Sequence, residues 1–89
     1  MVDIRGPEGS KKVEAELNGI LESNPRGFAG LSIKKVSISG DLSVSITMIS
    51  LKRQGVVFLN EKAKLFRELM GNKILAKKIS VVFTGKSFE

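Results

Sequence analysis

Residues 36–48 read Val36-Ser37-Ile38-Ser39-Gly40-Asp41-Leu42-Ser43-Val44-Ser45-Ile46-Thr47-Met48. Large apolar residues take alternate positions on either side of Gly40, with serine, threonine or aspartate between them. That is the two-residue period of a strand with one face in a core and the other in water. β-Branched residues dominate, and Gly40-Asp41 separates the two runs, so the stretch reads as a β-hairpin over about residues 31–51. Glycine in the first place of a two-residue loop is the chemistry of a type II′ turn. Leu31 and Ile33 have the opposite parity from Val36 and Ile38, which places a bulge or bend near Lys34-Lys35.

Helical periods flank the hairpin. Before it, Val13, Leu17, Ile20 and Leu21 recur at i, i+4, i+7 and i+8. Ser10 is placed to cap this helix, which should end before Pro25 because a residue preceding proline disfavours helix. Asn24-Pro25-Arg26-Gly27 then reads as a turn. After the hairpin, Leu59, Ala63, Phe66 and Met70 form a second stripe, widened by Leu65 and Leu69, with Gly71-Asn72 as a left-handed helix end. Lys62 falls inside that apolar arc, so either its stem lies along the core or the helix breaks or begins nearby. Ile79, Val81, Val82 and Phe83 make a last strand, ended by Gly85. The expected fold is α+β in the order α-β-β-α-β, a three-stranded sheet with both helices on one face. Pattern leaves the order and direction of the last strand open.

The chain has 89 residues, enough for one domain. Residues 10–89 read as that domain. Residues 1–9, with Ile4 the single large apolar residue between Val2 and Val13, read as a flexible arm. The first twelve residues lack the apolar run of a signal peptide, and no run of about 18 apolar residues could span a membrane. Without cysteine, neither disulfides nor thiolate sites are available, and nothing points to an oxidising compartment. A cytoplasmic protein is expected.

The formal net charge of +6 is unevenly placed. Residues 1–51 hold six basic and six acidic groups, whereas residues 52–89 hold nine basic and three acidic, so the whole surplus lies in the second part. Such asymmetry points to an anionic partner. With no histidine and no cysteine, His-based triads, Cys nucleophiles and ordinary zinc sites are excluded within one chain. The carboxylates are scattered and lack metal-loop spacing. Neither an enzyme nor a bound cofactor is expected. Gly85-Lys86-Ser87 resembles the end of a phosphate-binding loop, but Ser80 stands where its first glycine belongs. Gly27-Phe28-Ala29-Gly30 is a literal GxxG, yet it joins a helix to a strand, whereas the clamp of KH domains joins two helices. It reads as a turn.

Several local strings, taken in order over about residues 10–89, resemble the ribosome-binding factor A family, whose domains are of type II KH kind. They are Asn24-Pro25-Arg26-Gly27 leading into Leu31-Ser32-Ile33, then Val36-Ser37-Ile38-Ser39-Gly40-Asp41-Leu42, then Leu59-Asn60 and Phe66-Arg67-Glu68-Leu69. The family's helix kink corresponds to Lys62-Ala63-Lys64, which lacks its glycine. The resemblance implies RNA binding during maturation of the small ribosomal subunit, with ribosomal RNA as partner. Lys62, Lys64, Arg67, Lys73, Lys77 and Lys78 are the candidate phosphate contacts, with Arg26 and Lys35 as outlying ones. Phe28, Phe58 and Phe88 are the aromatics left to stack on bases, Phe66 and Phe83 being core. A second reading is a protein-interaction module that uses an exposed sheet edge or helix face. Residues Gly40 to Gly85 have the hydrophobic pattern of modules at the ends of bacterial replication proteins, such as the clamp-loader tau subunit.

Overall fold

The structure is a computed structural model and describes residues 1–51 and 53–84. It has five elements: α1 (Gly9–Ser23), β1 (Leu31–Ile38), β2 (Ser43–Ser50), α2 (Val56–Gly71) and β3 (Lys78–Thr84). The order α-β-β-α-β and the α+β class are those read from the sequence. No helix among the described residues is long and apolar enough to cross a membrane.

The sheet runs β1-β2-β3. β1 and β2 pair antiparallel, from Leu31 opposite Ser50 to Ile38 opposite Val44. The register shifts between Ile33 and Lys35. This bulge at Lys34 lets Ile33 and Val36 point to the same face despite their opposite parity. β3 pairs parallel to β2, from Lys78 beside Ser43 to Thr84 beside Ile49. A parallel partner needs a crossover, and α2 supplies it.

Strand side chains alternate between faces. Val44, Ile46 and Met48 of β2 are buried, in one core with Val13, Leu17 and Ile20 of α1 and Leu59, Ala63, Phe66 and Met70 of α2. Both helices therefore cover the same face of the sheet. The buried helix positions are those of the apolar stripes. Burying one such side chain fully contributes about 1.5–3 kcal/mol.

Four local expectations are corrected. Residues 1–9 are not an arm apart from the domain. Ile4 is 1% exposed, and Val2 bridges Ile74, donating its N–H to the Lys73 carbonyl at 2.8 Å and accepting from the Leu75 N–H at 3.0 Å. The docked segment also sets where α1 begins. Glu8 precedes the helix, Ser10 lies inside it, and no side chain caps it. Gly9 is buried against Ile4, and a Cβ there would collide with the Ile4 carbonyl.

The hairpin turn is not type II′, because Gly40 does not take a positive φ and Leu42 does, at 64°. The Leu42 N–H donates to the Ser39 carbonyl at 3.1 Å and the Ser39 N–H to the Ser43 carbonyl at 2.9 Å. The loop thus has three residues and closes on a left-handed one. Leucine there costs roughly 1–2 kcal/mol of backbone strain. The Lys77 N–H donating to the Leu42 carbonyl at 2.9 Å helps hold it, as does the Leu42 side chain packed on the core. Finally, α2 ends without a left-handed cap. Asn72 is right-handed at φ −89° and its N–H reaches back to the Leu69 carbonyl. The helix break entertained near Lys62 is absent too, since α2 is continuous from Val56 to Gly71. The strand end expected at Gly85 lies outside the described residues.

Candidate nucleic-acid interface

The structure separates the predicted cations into several environments. Lys62 stays on the flank of the buried stripe. Its ammonium sits 5.2 Å from the centroid of the Phe28 ring and 5.1 Å from that of Phe58. A cation over two aromatic faces, with its stem half-buried, is held as part of the packing. Phe28 is itself 6% exposed and stacks on Phe66, with centroids 4.8 Å apart and planes inclined at 31°. It is not free to stack on a base, which corrects the sequence reading. Phe58 is 37% exposed at the start of α2, and Phe88 lies outside the described residues.

Lys64 and Arg67 are exposed on α2, interleaved with the exposed carboxylates Glu61 and Glu68. Lys73 is exposed in the link between α2 and β3, and Arg26 in the turn after α1. Lys77 is engaged, with Nζ 3.5 Å from Oδ2 of Asp41. That carboxylate also accepts a hydrogen bond from the Ser39 hydroxyl and one from the Ser43 N–H at 3.2 Å. Hydrogen bonds from Ser39 and Ser43, then from Lys77, stabilise its charged form and hold its pKa below the ordinary aspartate value.

Lys35 and Lys78 share a different surface, the face of the sheet away from the helices. β2 places Ser43, Ser45, Thr47 and Ile49 there. Lys35 lies beside Thr47, which has Val82 on its other side, and Lys78 lies beside Ser43. Between these rows, Ser37, Ser45 and Ser80 form a line across all three strands. Ser32 and Thr84 flank Ile49 in the last row. Among the described residues the face thus carries two ammonium groups, no carboxylate and seven hydroxyl side chains, of which that of Thr84 is buried without a partner. A shallow depression of about 470 Å³ opens on it, lined by Ser37, Ser43, Ser45, Ser80 and Lys78 among others. Among the described residues nothing hydrogen-bonds the side chains of Ser37, Ser45, Thr47 or Ser80, so these donors are available to a ligand.

Hydroxyls and ammonium groups on a flat face can hydrogen-bond and neutralise phosphate oxygens. No group of three or more acidic or histidine side chains among the described residues could hold a metal ion. Sequence reasoning misses the serine line. Its signal is present in the chain, since serine alternates through both hairpin strands. The contribution of Ser80 and Lys78 depends on the parallel register of β3. Comparison with known proteins identifies no relative: no family model, no curated protein and no solved structure matches this chain.

Proposed function

We propose that this domain is a non-catalytic RNA-binding module that holds the phosphodiester backbone across the open face of its sheet. The observation that carries this reading is the chemistry of that face, which among the described residues offers hydroxyls and two lysines as donors and no carboxylate. The basic surplus of residues 52–89 supports it by drawing an anionic chain to the surface. The sequence resemblance to ribosome-binding factor A supports ribosomal RNA of the small subunit as the target and the cytoplasm as the place. With no exposed pair of aromatics on the face among the described residues, recognition rests on backbone and 2′-hydroxyl contacts rather than base stacking.

Titration of single-stranded RNA against salt tests this. Neutralising about four phosphates gives a slope of log affinity against log salt of roughly −3, from ~0.7 per phosphate. The double substitution Lys35→Glu/Lys78→Glu is compared with Lys64→Glu/Arg67→Glu, which changes the net charge equally. The sheet-face pair should lose at least ~10-fold more affinity than the helix pair, about 1.4 kcal/mol. Equal losses would move the site off the sheet. No binding at low salt would sink the RNA reading and leave the protein-interaction module as its replacement.

A further inference from the structure

We propose that two copies of this protein pair through β3, antiparallel about a two-fold axis at Val81, and so join their sheets into one of six strands. The argument starts from the two edges of the sheet. An edge strand presents a row of unpaired N–H and C=O groups, and folded proteins blunt such rows with bulges, charges or proline. The β1 edge is blunted in this way, by the bulge at Lys34 and by the adjacent cations Lys34 and Lys35. Among the described residues the β3 edge has no such device. Its seven residues keep an unbroken register with β2, and from Ile79 to Thr84 it contains neither charge nor proline. Among the described residues no strand pairs with its outer side.

The occupant is read from self-complementarity. A two-fold interface places each surface against itself. Centred on Val81, it sets Ile79 against Phe83, Ser80 against Val82, and Lys78 against Thr84. Ile79, Val81 and Phe83 belong to the helix-covered face, where Ile79 and Phe83 are only partly buried; pairing continues that apolar layer into the second copy. Val82, 54% exposed in one copy, gains a cross-strand neighbour. The strand's one charge, Lys78, meets neutral Thr84. The two lysines stand at opposite ends of the seam, roughly 20 Å apart at ~3.4 Å per residue, beyond the ~8 Å reach of charge at physiological salt. The chain therefore satisfies its own edge without opposing like charges. This inference does not depend on RNA binding.

Sedimentation equilibrium of the intact protein, up to ~1 mM, should reach twice the single-chain mass of 9.7 kDa. The register supplies a second, sign-dependent test. Thr84→Lys places lysines directly opposite Lys78 at both ends of the seam, whereas Thr84→Glu places carboxylates there. The first should dissociate the dimer and the second tighten it, with at least ~10-fold between their dissociation constants. Amide exchange gives a readout free of substitutions, because β3 amides should slow as protein concentration rises. A protein that stays at 9.7 kDa with concentration-independent β3 exchange overturns the proposal and leaves this edge to a strand from another protein. A dimer insensitive to the sign of charge at position 84 overturns it equally, by placing the interface elsewhere.

Discussion

On the helix-covered side of the sheet, Val44, Ile46 and Met48 are almost wholly removed from water. On the other side of the same strand, Ser43, Ser45 and Thr47 meet no helix. The two faces share backbone, register and strand length, and differ only in the parity of the residues they receive. Because each side chain belongs to one face alone, the chain can assign stability to one parity and leave the other free. The covered face is constrained in volume, since a close-packed interior feels the loss of a single methylene. The open face is constrained only in charge and in strand propensity, so it can carry hydroxyls and lysines without disturbing the core.

That contrast can be broken in graded steps. The largest effect is expected at Phe66, fully buried on α2 and stacked with Phe28. Phe66→Ala should destabilise the fold by about 3–5 kcal/mol in urea unfolding, and a loss under ~1 kcal/mol would mean that the covered face is not packed as described. Next comes Ile4, whose truncation to alanine should cost about 2–4 kcal/mol. Negligible cost would return residues 1–9 to the status of a loose arm. Substitutions on the open face should separate binding from stability. Lys35→Glu/Lys78→Glu should weaken RNA at least ~10-fold while leaving the urea midpoint within the range of ordinary surface changes, about ±0.5 kcal/mol. Ser45→Val should also fall within that range in stability, because valine is a good strand former, yet it removes a donor from the serine line and should reduce RNA affinity a few-fold.

The smallest step is a titration. The Asp41 carboxyl, followed by NMR, should ionise below the ordinary value of 3.8. Ser39→Ala should raise its midpoint more than Lys77→Ala, because the hydrogen bond from Ser39 is its largest stabilising influence. A folded-state pKa below the unfolded one means that the turn's contribution is present above the unfolded value and is lost as pH falls through the folded value. A midpoint at or above 3.8 would show that this turn network does not form in solution.

The elements that repeat a local period are legible in the chain itself. Alternation marks β1 and β2, the parity change from Ile33 to Val36 marks the bulge, and the spacing of Leu59, Ala63, Phe66 and Met70 marks the buried side of α2. The misreadings concern residues whose state depends on distant partners. Ile4 looks isolated in the chain but fills a place in the core against α1. Phe28, in a glycine-flanked turn, looks free until α2 brings Phe66 and Lys62 to it. Leu42 takes the left-handed position that glycine would favour, with Lys77 bonding its carbonyl and its side chain resting on the core.

The candidate site divides along the same line. Composition alone excludes histidine and cysteine chemistry and locates the positive surplus in residues 52–89. It does not show that Lys62 is absorbed by two rings, that Lys77 is tied to Asp41, or that Lys35 and Lys78 share a face with a line of serines. Periodicity is a property of neighbouring residues and is written in the chain, because backbone geometry fixes where every second or fourth side chain points. Which strands lie side by side, and therefore which cations and hydroxyls share a surface, is set by long-range pairing and by the packing of α2 over β3 and α1 over β1, and only the folded molecule shows it.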